Sequence, residues 1–508
     1  MTEAADQFAQ TALDYITMWQ RDFAPSLPGD PGIPFAEIFM PEVVQDVEQL
    51  LARHPIAADV EARKLASQCV QLLSDVAAQP LQFLFANERN NGHSLDQFVS
   101  DVRRDQLAGV VAEFPELEPA LQVVRSTWLE ALGEFLDRCQ ADQSQLEQMF
   151  GIAERSTLAD LRSGCSDRHH GGRSVFEVIW SNGSRLVYKP RHMGLEKCWN
   201  ELLAWINATG FRPAFRTLNV VDRGAWGWVE FCHAEPPTDE GSWQSYLQSA
   251  GSLAALCWVL DAIDMHMGNL VSTSDGPVLI DVETFFQTKV CSRNQRCPGI
   301  GQLGFFPRWQ EVAGCQVDLS GLGGFGDQSI PCRVPRWSGI GTHEMRLDYV
   351  AAVMRSQGAT TIRRVSGQTN CQYPLAGYRQ MMEFMRQHRS ELLATEGPLA
   401  RMWMQPVRRV PQSTREYYAS LNKSLQLDSL RRLEQRRELL RALSGEQPDA
   451  IVVESLLALD IPRFTQLDEA AARSETELRL QAIDDSLVAR HCRQIEQSMT
   501  EATAANRN

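Results

Sequence analysis

Along the first third of the chain, apolar residues recur at intervals of three and four: Val47, Leu50 and Leu51; Leu65, Cys69, Leu72 and Val76; Val124, Trp128, Leu132 and Phe135. That spacing gathers them on one stripe of a helix and predicts amphipathic helices over residues 1–150. Proline-rich breaks from Pro25 to Pro34, and at Pro115 and Pro119, punctuate the pattern. No cluster of reactive side chains falls here, so the segment reads as a helical cap or substrate-docking region. The period changes near residue 160. Gly164, Gly171 and Gly172 surround Asp167-Arg168-His169-His170, and two β-rich runs, 174–180 and 185–190, flank Asn182-Gly183. An Asn-Gly pair between such runs predicts a hairpin, with Arg185, Val187 and Lys189 on one face of its second strand.

A helix is expected over 195–207, with Trp199, Leu202, Leu203 and Ile206 on one face, then strand-like runs at 218–221 and 226–231. Pro236-Pro237-Thr238-Asp239 reads as a hinge, and 243–263 as a buried helix leading into Asp264-Met265-His266-Met267-Gly268-Asn269. Two apolar runs follow, Leu270-Val271 and Val278-Leu279-Ile280, separated by a polar turn at 272–277 and ending in Asp281-Val282-Glu283. A hairpin of this kind brings Asp264, Asn269, Asp281 and Glu283 to one end. Residues 284–345 are rich in glycine and read as a long irregular loop in the place of an activation segment. Helices resume near 374, and 421–508 reads as amphipathic helices whose Arg431, Arg432, Arg436 and Arg437 form a charged face. The fold class is α+β. Four regions are expected: 1–155, 156–235, 236–420 and 421–508.

Charge changes the picture mainly by exclusion. The formal net charge is −15 over 508 residues, which argues against nucleic acid or an anionic membrane as the main partner. The first residues carry Glu3 and Asp6 rather than a basic signal region, and the longest apolar stretch, 253–260, stops at Asp261. It is far too short to span a bilayer, and the chain reads as cytoplasmic. The 12 cysteines include no C-x-x-C pair and read as buried reduced thiols. Cys291 and Cys297, Cys232-His233 and His491-Cys492 all lack the partners of a zinc set, so no zinc is expected.

The clustered acids need a counter-charge, and a bound metal supplies one. Asp-x-His-x-x-Asn followed by Asp-x-Glu on the next strand is the layout that phosphoryl transfer requires. One carboxylate orients the attacking hydroxyl, while an Asn and a second carboxylate hold magnesium on the nucleotide phosphates. The bland alternative is a solvated turn with capping residues. Lys189 sits where kinases place a lysine on ATP phosphates, but a strand-end surface lysine explains it equally well. Either Glu196 or Glu201 stands at a distance suited to pairing with it. Arg401, Arg408, Arg409 and Arg415 gather in an acidic chain before a helix that Ser413 or Thr414 caps. Such a cluster suits a phosphate group, or is merely a cap with solvated arginines.

Together these motifs resemble the dehydratase domain of type II lanthipeptide synthetases over roughly residues 150–420. The resemblance rests on Asp167-x-His169 and its glycines, Val187-Tyr188-Lys189-Pro190-Arg191, Asp264-x-His266-x-x-Asn269, Asp281-x-Glu283-Thr284, and the pair Arg408 and Thr414. It implies a two-lobed, lipid-kinase-like core with extensive N- and C-terminal α-helical additions. It implies that ATP phosphorylates Ser and Thr of a leader-bearing precursor peptide, and that the same active site then eliminates phosphate to leave dehydroalanine or dehydrobutyrine. Lys189 is then expected on the ATP phosphates, Asp264 and His266 on the attacking hydroxyl, and Asn269, Asp281 and Glu283 on Mg2+. Asp167, His169, Arg408 and Thr414 match positions tied to elimination. Two departures stand out. No Cys-His-Gly run of a zinc cyclase follows, so ring closure falls to a separate cyclase or does not occur. Gln412 stands where an arginine is expected. Two other functions stay open: a kinase that stops at the phosphopeptide or acts on a small molecule or lipid, and a non-catalytic binding partner for a precursor peptide.

Overall fold

The three- and four-residue apolar spacing dictates how the chain starts. The computed structural model describes residues 32–287, 299–312, 315–323, 328–354, 371–444 and 449–505. It divides into two compact units: Met1–Pro190 with Cys332–Ala352 and Pro411–Arg463, and Arg191–Pro331 with Val353–Val410 and Phe464–Asn508.

The first unit opens with helices α1 (Ala36–Leu51), α2 (Ala62–Asn90), α3 (Leu95–Arg104), α4 (Ala108–Glu113) and α5 (Leu117–Phe150). Of the expected stripes, Val47 of α1, Leu65, Cys69 and Val76 of α2, and Val124, Trp128, Leu132 and Phe135 of α5 are buried, while Leu50, Leu51 and Leu72 are only half-buried, and Val43 and Leu73 fill the core beside them. Pro115 lies before α5 and Pro119 in its first turn, where the missing N–H removes no intrahelical bond. Strands β1 (Leu158–Arg162), β2 (Phe176–Trp180) and β3 (Arg185–Lys189) follow. β2 pairs antiparallel with both β1 and β3, and Ile179 faces Arg185 around the Asn182-Gly183 turn. Gly183 has φ 85°, the left-handed conformation that this turn requires. The hairpin is fixed to α5 by aromatic packing. Phe135 stacks on Phe176 at 4.6 Å and meets the edge of Tyr188 at 5.1 Å, while Arg138 donates to the Tyr188 hydroxyl at 2.7 Å.

The second unit is built around α7 (Glu240–Val259), which follows α6 (Gly194–Ala208), β4 (Val220–Asp222) and β5 (Gly227–Glu230). α6 buries Trp199, Leu202, Leu203 and Ile206, as its periodicity predicts. Asp239, expected in a hinge, is the N-cap of α7 and accepts from the Ser242 amide at 3.0 Å. The interior of α7 is buried on all sides, and it crosses helix Gln372–Gln387 without side chains between the backbones. A Cβ on Gly251 would lie 1.9 Å from the Pro374 carbonyl oxygen, and one on Gly377 1.8 Å from that of Gln248. Only glycine permits this approach.

Strands β6 (Leu270–Thr273) and β7 (Gly276–Leu279) form the expected hairpin, with Leu270 opposite Leu279 and Thr273 opposite Gly276. The turn is tighter than the polar run 272–277 suggested. Ser272 and Thr273 are fully buried strand residues: Ser272 Oγ meets the Tyr246 hydroxyl at 2.8 Å, and Thr273 Oγ1 donates to the Gly276 carbonyl at 2.7 Å. Residues 284–345 also depart from the loop reading. Trp309–Val312 and Cys315–Asp318 pair antiparallel, and Gln328–Ser338 forms a second two-stranded sheet with Arg346–Met354. Cys291 and Cys297 lie outside the described residues. Further on, Arg436 is no solvated helix face. It is buried and donates to the Leu456 and Leu457 carbonyls at 3.2 and 3.1 Å. The fold is thus α+β, mostly helical with small antiparallel sheets. Among the described residues no helix is long and apolar enough to cross a membrane.

Candidate active site

In the second unit, α7 ends at Val259 and the chain turns sharply, with Asp261 at φ 48° and Asp264 at φ 67°. Two non-glycine residues in the left-handed region within four positions mark a backbone held by its surroundings. The Met265 amide donates to the Leu303 carbonyl at 2.9 Å, the Met267 amide to Leu319 at 3.1 Å, and the Asn269 side chain to the Asp264 carbonyl at 2.9 Å. Ile280 N–H donates to Asn269 at 3.0 Å, closing the loop onto β7. The sequence motif is therefore one rigid turn on a hairpin, and it presents Asp264, His266, Asn269 and Asp281 together.

His266 Nδ1 accepts from the Gly268 amide at 2.9 Å. An amide has only a proton to give, so Nδ1 carries the lone pair, and in the neutral ring the proton sits on Nε2, 3.6 Å from Asp264 Oδ1. Asp264 is open to solvent on one side, yet its pKa is raised above the ordinary carboxylate range. Displacement of water by the surrounding protein is the largest cause; Asp281 and Glu283 add to it, and His266 and Arg408 oppose it.

The acids beyond the hairpin are organised by arginines. Arg191 Nη2 lies 3.0 Å from Asp281 Oδ1, its Nε lies 3.0 Å from Glu283 Oε2, and its guanidinium also contacts Glu196. Burial pulls the Arg191 pKa down, but the three carboxylates hold it above its ordinary value. Arg408 Nη1 takes the other Glu283 oxygen at 2.9 Å, and the Arg408 amide donates to the Glu283 carbonyl at 2.7 Å. Arg408 is set there by strand Val407–Arg409, which pairs with Phe464–Gln466. Of the two glutamates considered for Lys189, Glu196 also contacts Arg191, and Glu201 contacts Arg401.

This arrangement narrows the donors for magnesium. Among the described residues no three His, Cys, Asp or Glu side chains form a metal-binding group. Both Glu283 oxygens hold arginines and Asp281 Oδ1 holds Arg191, so the hard oxygens offered at the hairpin end are Asp281 Oδ2 and Asn269 Oδ1. One or two such protein oxygens, completed by water and phosphate, is how magnesium is usually bound, so the residues fit that ion without a protein cage.

The remaining expected residues lie in the first unit. Lys189 ends β3 and is only 6% exposed, which removes the surface-lysine reading. In the Asp167–Gly172 loop, the Tyr418 hydroxyl donates to Asp167 Oδ1 at 3.1 Å. His169 Nδ1 lies 2.7 Å from the Ile461 carbonyl. A carbonyl only accepts, so here Nδ1 carries the proton. Thr414 is the first residue of helix Thr414–Ser424. Ser413 is the N-cap, and its amide and hydroxyl reach Glu416 Oε2 at 3.0 and 2.9 Å.

Sequence reasoning gave no role to Arg191, which joins three carboxylates, or to Arg479, which is buried against Asp261 and Glu475. An arginine directly after the Lys-Pro pair was the available signal for the first. Nothing in the periodicity marks the second.

The relatives bear on this geometry. The chain is similar to the Lacticin 481/lactococcin biosynthesis protein LcnDR2 of Lactococcus lactis subsp. lactis. It is 25% identical over 182 residues, which is 34% of this chain and 19% of that protein. The chain thus aligns with well under two thirds of that relative's length. A family model described as "Domain of unknown function (DUF4135)" matches residues 114–466, a span that holds both loops and the arginine-bound acids, and on that match the chain belongs to the DUF4135 family.

Proposed function

We propose that this protein is a lanthipeptide-type peptide dehydratase with a two-lobed, lipid-kinase-like core, organised as the four regions 1–155, 156–235, 236–420 and 421–508. It phosphorylates Ser and Thr of a leader-bearing precursor peptide with ATP and then eliminates phosphate. The observation that carries the reading is the turn that gathers Asp264, His266 and Asn269 onto the Asp281 end of one hairpin, with Arg408 held at Glu283. Similarity to a protein named for lacticin 481 biosynthesis supports the peptide as substrate.

In the first half-reaction Asp264 accepts the proton of the substrate hydroxyl as its oxygen attacks the γ-phosphorus and the bond to the ADP oxygen breaks. A carboxylate with a raised pKa is the better base near neutral pH. His266 stands beside that carboxylate, with Nε2 3.6 Å from Oδ1, and favours its charged form. Asn269 and Asp281 would hold magnesium, which when bound neutralises charge on the phosphates; Glu283 belongs to the expected set and here fixes Arg191 and Arg408. Lys189 is assigned to the nucleotide phosphates.

In the second half-reaction a base takes the Cα proton, its electron pair forms the Cα–Cβ double bond, and the phosphate leaves from Cβ. His169 presents Nε2 as that base. Asp167 is fixed by Tyr418, and Arg408 and Thr414 receive the departing phosphate as cation and hydroxyl donor. Phosphate is needed because a hydroxyl leaves poorly.

The test is mass spectrometry of a Ser/Thr-rich precursor peptide after incubation with the full chain, ATP and Mg2+. Loss of one water per site is expected from the native protein, and gain of one phosphoryl group per site from His169→Gln. Phosphoryl gain from the native protein would make it a kinase and remove the elimination roles.

A further inference from the structure

Asp460 precedes Ile461 within 421–508, a stretch that periodicity reads only as amphipathic helices. Its carboxylate is 2% exposed, and a buried carboxylate persists only where donors surround it. The donors come from one loop. The Gly171 amide reaches Oδ2 at 2.6 Å, the Gly172 amide reaches both oxygens at 3.1 and 3.0 Å, and Arg168 Nε lies 3.8 Å away. Gly171 and Gly172 take φ 84° and 78°. Consecutive amides turned this way form a small anion-binding concavity, which Asp460 fills from within the chain. A Cβ on Gly172 would come within 2.8 Å of Arg168 Nη2 and 2.9 Å of Thr127, so the loop cannot be rebuilt around a larger residue. The next residue completes the hold. Ile461 N–H donates to the Arg168 carbonyl at 2.8 Å, and its carbonyl accepts from His169 Nδ1 at 2.7 Å.

We propose that Asp460 is a positioning residue for His169: its carboxylate fixes the Arg168–Gly172 backbone so that His169 Nδ1 donates to Ile461, which sets the tautomer that elimination uses. Two residues thereby grip four of the loop on both sides of the histidine. The buried Arg168 charge adds to the hold, because Asp460 is the carboxylate facing it. The catalytic consequence rests on the dehydratase reading; the tautomer does not, and the two are measured separately.

Full chain labelled with 15N in the histidine rings, with His169 assigned by its loss in His169→Gln, reads the tautomer by two-bond 15N–1H correlation. The native protein is expected to show the Nδ1–H form at His169. Asp460→Ala and Asp460→Asn should lose it in favour of the Nε2–H form. Asparagine keeps the shape and one acceptor, so it serves if alanine does not fold. With a Ser/Thr-rich precursor peptide, ATP and Mg2+, the ratio of phosphorylated to dehydrated product should rise by on the order of a hundredfold in the same variants, the loss expected of a displaced catalytic group. A folded Asp460→Ala that keeps Nδ1–H at His169 overturns the proposal. So does a changed tautomer with an unchanged product ratio. A changed tautomer in a protein that modifies no peptide, native or variant, upholds the grip of Asp460 on His169 and sinks the dehydratase reading instead.

Discussion

Replacing Arg479 by methionine removes a guanidinium that is 1% exposed and serves three groups. Its Nε donates to Glu475 Oε1 at 2.8 Å and its Nη1 to the Trp258 carbonyl at 2.7 Å; Nη2 contacts the Asp261 carboxylate, and the group lies 5.2 Å from the centre of the Trp258 ring. Asp261 and Glu475 are themselves 5% and 3% exposed. Methionine is long and apolar, so the change leaves little void. What remains is the cost of two buried carboxylates without that counter-charge, about 3–5 kcal/mol. For a unit of a few hundred residues each kcal/mol moves the melting midpoint by about 2–4 °C, so the second unit should melt about 6–20 °C lower by calorimetry.

The pH dependence carries the sign. Without Arg479 the folded-state pKa values of Asp261 and Glu475 rise above their unfolded values. An acid raised in this way destabilises the fold at pH above its folded pKa, and the penalty fades as pH falls through it. The gap between native and variant midpoints should therefore narrow from pH 8 to pH 5. Arg479→Met combined with Asp261→Asn and Glu475→Gln should recover most of the loss, since a neutral triad needs no counter-charge. A single variant that melts within about 2 °C of native, or a gap that widens toward acid, would refute the electrostatic reasoning.

Three further outcomes follow from the same geometry. Asp264→Asn should abolish phosphorylation of the peptide while leaving the melting midpoint at pH 7 unchanged or higher. The native carboxylate is held in a site that disfavours its charge, and asparagine tolerates φ 67°; a drop of several degrees would contradict this. Gly251→Ala should destabilise by about 1–3 kcal/mol or more in denaturant titration, because its Cβ meets the Pro374 carbonyl. Gly301→Ala, with no atom within 4 Å of the added carbon, is the control expected to stay near native. Arg408→Ala should leave peptide phosphorylated rather than dehydrated by mass spectrometry, and dehydration at the native rate would remove Arg408 from the elimination step.

Elements whose signal is local were legible in the sequence. Asn182-Gly183 between two β-rich runs, and the Asp264–Glu283 hairpin, read correctly because turn chemistry and period sit within a few residues. Polar residues misled where their partners are near in space but unreadable in the pattern: Ser272 and Thr273 look like turn and are buried strand, satisfied by Tyr246 and Gly276. Glycines misled in part over 284–345, where the described residues include paired strands within the expected loop. The single ions that organise the site were the least legible. Arg191, Asp460 and Arg479 find partners far along the chain, and one charged residue without a period gives no sign of which distant group it meets.

The two Asp-x-His runs show how far residue identity falls short of chemistry. Asp167-x-His169 and Asp264-x-His266 are alike as strings, and each histidine is fixed through Nδ1 by one backbone group. For His169 that group is the Ile461 carbonyl, 2.7 Å away, and for His266 it is the Gly268 amide, 2.9 Å away. The first demands a proton on Nδ1 and the second forbids one, so the neutral rings hold opposite tautomers. His169 therefore offers a lone pair at Nε2, the form a base requires, while His266 offers an N–H there, the form that favours a charged carboxylate beside it. Which half-reaction each histidine suits is decided by whether the local backbone presents an oxygen or an N–H, a choice made by the glycine turn in one loop and by a segment almost 300 residues away in the other. The same 15N–1H correlation that reads His169 reads His266, and matching tautomers at the two sites would remove the physical basis for giving them different roles.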